Sequence, residues 1–274
     1  MDIQDALEIV SQTNPGMVRS HNEDSVTYDA ELGLVVLADG MGGYNAGEVA
    51  SGIAVSVLSS EVRHHLENAR PEDMDGTGEE LGVTLLRDNV KKANLSIFRA
   101  AQSQPQYAGM GTTIVTALFY DDRVAVAHVG DSRMYRLRGE EFECVTRDHS
   151  LLQEQIDSGL ISKEDARLSK NKNLVTRAVG IDAEVDPETH VHEVQVGDIY
   201  LFCSDGLNDM VEDEDIGMTV QMLQSNLQLA ATQLIQLAND NGGRDNVSVI
   251  LVKVKGRYAA PRGWWEKLRS WFGN

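Results

Sequence analysis

Leu34-Val35-Val36-Leu37-Ala38-Asp39-Gly40-Met41-Gly42-Gly43 is an apolar run that ends abruptly in an acid and a cluster of glycines. The run reads as a buried strand with Asp39 at its end. A carboxylate there is costly to desolvate unless something positive meets it. The device recurs at Asp205 in C-S-D-G-L and at Asp245 in G-G-R-D-N. A lone D-G is an ordinary turn. Several acids at strand ends in one chain suggest a shared cation. No Cys or His ligand pattern accompanies them, so the cation is expected to be hard and oxygen-loving, Mg2+ or Mn2+ rather than Zn2+.

Working outward, further strands are expected over Thr113–Tyr120, Val124–Val129, Ile199–Cys203 and Asn246–Val254. Each is rich in Val, Ile, Leu or Tyr and bounded by Gly, Asp or Asn. Ala6–Ser11 is a weaker strand, and Arg133–Leu137 is expected to pair with a neighbour. Helical periodicity covers Gly47–Leu66, Glu79–Gln102, Leu151–Ser158 and Leu227–Asn239. The last follows the capping pair Ser225-Asn226 and stops at Gly242-Gly243. Strands and helices come in groups. That argues against regular βαβ alternation and for an α+β fold of antiparallel sheet with helices on its outer faces. Pro71–Gly78 reads as an exposed loop and Ser162–Asn173 as a charged, mobile surface segment. Gly256–Gly263 reads as a linker.

Composition narrows the classes. The chain has 274 residues, 42% of them hydrophobic, which suits one large domain or two small ones. No apolar run is long enough to span a bilayer. The start is acidic and lacks a signal-peptide core, so a cytoplasmic protein is expected. Cys144 and Cys203 are the two cysteines, too few for a disulfide scaffold. The net charge of −19 disfavours nucleic acid and would favour basic substrates, though it is read mainly as the ordinary acidity of a soluble enzyme. A monomer is expected.

The chemistry gathers around the acids. Asp39 at a strand end can bridge two metal ions, and Gly40 leaves its own carbonyl open to one of them. Two ions bridged in this way can activate a water and clamp a phosphoryl group. Arg19, in G-M-V-R-S-H-N-E-D-S, offers the planar fork that a phosphate needs. Glu23 and Asp24 follow, able to ligate metal directly or through water. Neither Cys203 nor Cys144 has an Arg six residues on, as a cysteine phosphatase requires.

The ordered set of motifs resembles the PPM family of metal-dependent Ser/Thr protein phosphatases, type 2C, in its bacterial branch. The matching segments are Gly16 to Ser25, Ala38 to Gly43 with Gly47-Glu48 and Ala50-Ser51, and Gly109 to Thr113. They continue with Val129 to Arg133 (V-G-D-S-R), Asp148-His149-Ser150, Cys203 to Leu207 and Gly242 to Asn246. The resemblance runs from about residue 8 to 254. It implies a four-layer αββα sandwich over residues 1–255 and hydrolysis of phosphoserine and phosphothreonine by metal-activated water, with no phospho-enzyme. It assigns Asp39 and Gly40 to a bridged pair of Mn2+ or Mg2+ ions, with Asp205 and Asp245 on one of them. Glu23 would reach metal through water, with Asp24 an adjacent acid of the ligand sphere. Asp131, with Asp205, matches the acids that hold a third metal. Arg19 would bind substrate phosphate, and the segment from Leu151 to Gly180 corresponds to a substrate-touching flap. Phosphoproteins and a cognate Ser/Thr kinase are the implied partners.

One departure is informative. Where the animal branch has a His after the first D-G, this chain has Met41, which cannot transfer a proton. Metal-bound water, His21, His128 or His149 are the alternatives for protonating the leaving oxygen. Rival classes fare worse. A pseudophosphatase would need a lost ligand, and a metallo-phosphodiesterase would need a His-rich pattern that the chain lacks. A third rival is a scaffold whose essential part is the tail. In that tail, residues 256–274, Trp264, Trp265, Leu268, Trp271 and Phe272 recur at helical spacing. It is expected either to meet a membrane surface or a partner groove, or to fold back on its own domain.

Overall fold

The computed structural model describes residues 1–43, 46–162, 165 and 174–260. The tail residues Trp264, Trp265, Leu268, Trp271 and Phe272 lie outside them, as does most of the Ser162–Asn173 segment.

Alternation along the strands builds the layers. In β3 (Leu34–Met41), Leu34, Val36 and Ala38 face one way, and Val35 and Leu37 face the other. Both sets are buried, which is why the run reads as continuously apolar. The first set packs on α2 (Ala46–Leu66) and α3 (Leu81–Ser103). The second meets Tyr200, Phe202, Ile250 and Val252 of another sheet. Those residues belong to β10 (Ile199–Cys203) and β11 (Val247–Val254). Their alternate residues Leu201, Cys203, Val249 and Leu251 pack with Ile216, Val220, Ala230 and Leu234 of α6 (Asp213–Met222) and α7 (Leu227–Asp240). Two sheets therefore pack face to face, with a helical layer outside each.

One sheet runs β1-β11-β10-β7-β8, adding β1 (Leu7–Asn14), β7 (Arg133–Arg138) and β8 (Glu141–Cys144). The other runs β2-β3-β5-β6-β9. It adds β2 (Asp24–Asp29), β5 (Ile114–Tyr120), β6 (Arg123–Val129) and β9 (Glu188–Glu193), with the short β4 (Gly111–Thr112) pairing the end of β3. The pairings are antiparallel. The expected α+β sandwich of four layers is the observed architecture.

The expected strands and helices are present, with ends shifted by one to three residues. Strands β2, β8 and β9 and helix α6 were not expected. The strands carry polar, half-exposed sequences such as E-T-H-V-H-E, and α6 buries only Ile216, Gly217 and Val220. The Asn226 side chain caps α7 by accepting from the Leu229 N–H at 3.0 Å. The first residues of the expected linker lie along the domain: Tyr258 is 6% exposed, and Asp122 accepts from the Tyr258 N–H and from Arg257. Among the described residues no helix is long and apolar enough to cross a membrane.

Candidate metal centre

The ends of four strands converge at one end of the sandwich. Asp24 of β2 lies opposite Asp39 of β3 in register. Asp205 follows β10 and opens the short helix α5 (Asp205–Asn208), and Asp245 precedes β11. Asp131 sits in the turn from β6 to β7. The chain thus delivers five acids from both sheets to one place.

Local bonds fix Asp39, Asp24 and the loops around the cluster. The Asp39 backbone is fixed by Thr113 on both sides: its N–H donates to Thr113 Oγ1 at 3.2 Å, and its carbonyl accepts from the Thr113 N–H at 2.8 Å. Asn246 ties the Arg19 loop to β11. Its Oδ1 accepts from the Glu23 N–H at 2.8 Å, and its Nδ2 donates to the His21 carbonyl at 2.9 Å and to the Pro15 carbonyl at 3.1 Å. Ser204 and Ser248 both donate to Asp24 Oδ2, at 2.9 and 2.6 Å. Asp24 is 8% exposed, and its Oδ1 has no partner. The V-G-D-S-R and D-H-S segments meet through a fork from Arg133 to Asp148, with Nη2 2.7 Å from Oδ2.

The glycines after Asp39 and Asp205 have a further reason to be there. A Cβ on Gly40 would lie 2.2 Å from the Gly47 carbonyl oxygen and 2.6 Å from that of Glu23. One on Gly206 would lie 2.0 Å from the Asn246 carbonyl oxygen. Close backbone packing around the acids thus requires glycine, independently of any metal.

The electrostatics are those of a site built for positive charge. Burial first, and then the charges of Asp24, Asp205, Asp131 and Asp245, push the Asp39 carboxyl well above its ordinary range. Burial and the neighbouring acids do the same to Asp205. Burial and Asp148 raise Asp131 to about 7, and burial raises Asp24 to about 6 against the bonds to Ser248, Ser204 and Asp39 that lower it. Such mutual repulsion is relieved by a cation or by protonation. A donor set made of oxygens alone suits hard divalent ions. Arg19 stands at the rim, its Nη2 2.7 Å from Asp245 Oδ2.

Asp39, Asp131, Asp205 and Asp245 are thus brought together, with Arg19 and Glu23 beside them. Asp24 lies beneath, with one oxygen committed to the two serines. The histidines divide. His128 and His149 are buried at 0% and 3% exposure and bonded internally, and burial lowers the pKa of both. His21 is exposed on the Arg19 loop. Three features were not read from the sequence: the clamp by Ser204 and Ser248, the Asn246 hub, and a group of His128, His149 and Glu188. The strand period puts Asn246 and Ser248 on one face at the start of β11, but nothing local names their distant partners. The third brings one donor atom from each residue within 4.8 Å of the others.

Comparison with known proteins agrees with this geometry. A family model described as Protein phosphatase 2C matches residues 18–239. The Serine/threonine phosphatase stp of Listeria welshimeri is 37% identical over 245 residues, which cover 88% of this chain and 94% of that protein. The Serine/threonine protein phosphatase PstP of Mycobacterium tuberculosis is 38% identical over 248 residues, 90% of this chain but 45% of that longer protein. A crystal structure of the PstP catalytic domain in complex with two manganese ions matches with a TM-score of 0.79 and 36% identity, covering 91% of this chain and 99% of that one. With the motifs, the two-sheet sandwich and these relatives in agreement, the chain belongs to the protein phosphatase 2C family of metal-dependent enzymes.

Proposed function

We propose that this chain hydrolyses phosphoserine and phosphothreonine in proteins. The observation that carries the reading is Arg19, a phosphate-binding fork, at the rim of a buried carboxylate cluster lacking enough positive charge of its own. Two Mn2+ or Mg2+ ions on Asp39, Gly40, Asp205 and Asp245, with a third near Asp131 and Asp205, would supply an activated water and neutralise phosphoryl charge. The chain's residues do the rest. Asp39 and Asp205, in a partly dry cleft, present negative charge at fixed positions. Arg19 takes two phosphoryl oxygens and orients phosphorus toward the cleft. Its bond to Asp245 holds it ready at the rim. Asn246 keeps the Arg19 loop against β11, so phosphate site and carboxylates move as one unit. Glu23 extends the acidic wall. Water forms the new P–O bond, the bond to the Ser or Thr oxygen breaks, and that oxygen takes a proton. Met41 cannot supply it. His128 and His149 are poor donors, being buried and neutral, which leaves His21 or the solvent of the site.

The reading extends to a cytoplasmic monomer that opposes a Ser/Thr kinase in signalling. The relatives' names support the phosphoprotein substrate on which that extension rests. The test is phosphate release from a phosphothreonine peptide with Mn2+, Mg2+, Zn2+ or a chelator added. Turnover with Mn2+ or Mg2+, abolished by chelator and by Asp39→Asn, is expected. Undiminished turnover in chelator would sink the proposal.

A further inference from the structure

Behind the Asp131 turn lies a group of histidines that the reaction does not use. His128, in β6, is fully buried. Its Nε2 lies 3.0 Å from the Arg147 carbonyl, which can only accept, so Nε2 carries the ring proton and Nδ1 holds a lone pair. That buried Nδ1 has no partner. A polar atom left unpaired in the interior costs free energy and calls for an explanation. Next to it, His149 Nδ1 accepts from the Gly130 N–H at 3.2 Å. This places the His149 proton on Nε2, 3.2 Å from Glu188 Oε2. The other Glu188 oxygen meets His190 Nε2 at 2.9 Å. The His128 and His149 rings stack at 4.9 Å, and one donor atom from each of His128, His149 and Glu188 lies within 4.8 Å of the others.

We propose that His128, His149 and Glu188 form a site for a borderline divalent cation of the Zn2+ class, separate from the hard-metal carboxylate cluster. Two imidazoles and one carboxylate are a donor set that Zn2+, Co2+ or Ni2+ favours, and that Mg2+ does not. His128 would bind through the vacant lone pair on Nδ1. Its Nε2–H bond to the Arg147 carbonyl is the outer contact that fixes a ligating histidine's tautomer. His190 does the same for Glu188. Three protein ligands leave a fourth position for water.

Occupancy has a consequence for the neighbouring turn. A cation on His149 Nε2 moves that ring's proton to Nδ1. Two hydrogens would then face each other across the Gly130 contact, so the Gly130 N–H bond opens. Gly130 directly precedes Asp131. The same cation would therefore loosen the turn that delivers Asp131 to the carboxylate cluster.

The test uses the full chain saturated with Mn2+, with Zn2+ then added and both metals counted after gel filtration. Wild type is expected to hold one Zn2+ without losing Mn2+. Glu188→Gln should weaken that Zn2+ by about tenfold or more while Mn2+ content stays the same. Amide exchange at Gly130 should quicken on Zn2+ addition in wild type only. Zn2+ retained equally by Glu188→Gln, or gained only as Mn2+ is lost, would overturn the site and leave a hydrogen-bonded histidine cluster. Zn2+ bound with Gly130 exchange unchanged would overturn the link to the turn. Should Glu188→Gln fail to fold, Co2+ added to wild type decides. Intense tetrahedral absorption supports the site, and only the weak spectrum of oxygen-bound Co2+ removes it. None of these readouts uses phosphatase activity, so they stand apart from the functional proposal.

Discussion

Arg19 shows what a single residue can carry. Its side chain is 53% exposed and that of Asp245 is 33% exposed, so the pair itself adds little stability. Its value lies in orientation. Arg19→Ala should lower kcat/KM for a phosphopeptide by roughly 10- to 100-fold, the worth of a charge-assisted fork. Mn2+ affinity should hold or tighten slightly, because Asp245 loses a competitor. Arg19→Lys should recover only part, since a point charge cannot replace a fork. Calorimetric Mn2+ titration beside peptide kinetics checks both, and a loss of Mn2+ binding in Arg19→Ala would refute the division of labour. The acids make a pH prediction. Asp24 is raised to about 6 and Asp131 to about 7, both above the ordinary carboxylate value. Between that value and the raised one, the folded chain binds more protons than the unfolded chain. Stability of the metal-free protein should therefore fall as pH rises from about 4 to 7. Excess Mn2+ should remove that slope, and Asp131→Asn should flatten it without metal. Melting temperatures across this range with chelator or Mn2+ provide the measurement. A chelated protein whose melting point rises over this range would contradict the cluster's electrostatics.

At the scale of elements, the approach of α2 to β3 decides whether the cleft exists. The Gly40 position has no room for a methyl group between the Gly47 and Glu23 carbonyls. Gly40→Ala should cost about 1–3 kcal/mol of stability. Activity should fall further than that loss explains, because α2 and the Glu23 backbone must part beside Asp39. Equal melting points and kcat for Gly40→Ala and wild type would show that the contact yields freely. The elements also show what could be read in advance. β3, β5, β10 and β11 are buried on both faces, so their apolar runs and the acids at their ends were legible. The half-exposed β2, β8 and β9 carry no such run, because charged and hydroxyl side chains satisfy their outer faces. Asp39, Asp205 and Asp245 could be read because a strand-end acid beside glycine is locally conspicuous. The Asp24 clamp could not, since Ser204 and Ser248 reach it across 180 and 224 residues of chain. The Glu188 partnership with His149 is likewise a product of β9 pairing on β6, and β9 itself went unread.

For the whole molecule, the question is how the basic C-terminal stretch relates to an acidic domain. From Lys253 to Asn274 the chain carries six Lys or Arg against one acid, in a protein of net charge −19. The structure follows it as far as Ala260. The β5–β6 hairpin receives it there: Asp121 Oδ1 accepts from the Ala260 N–H at 2.8 Å, and Asp122 holds Arg257 and the Tyr258 N–H. Tyr258 is buried in the core between the sheets, and its hydroxyl donates to the Arg123 carbonyl. The hairpin tip lies at the far end of β5 from Thr113, which holds Asp39. Seven strand residues separate them, or about 25 Å. The chain thus leaves the described domain at the pole away from the carboxylates. Two truncations separate local packing from whatever lies beyond. Ending the chain after Gly256 removes Tyr258 and should cost about 3 kcal/mol, a fall of roughly 5–10 °C in melting temperature. Ending it after Ala260 keeps every one of those contacts. The second truncation should melt with the full chain if the Trp-rich stretch meets a membrane or partner, and below it if that stretch packs on its own domain. Peptide phosphatase activity should stay within a few-fold in both, measured below their melting points, because the catalytic pole is untouched. Co-sedimentation with anionic vesicles then separates the remaining outcomes. Binding by the full chain that the Ala260 truncation lacks, and that salt weakens, supports a membrane surface. Equal sedimentation of both chains rules it out.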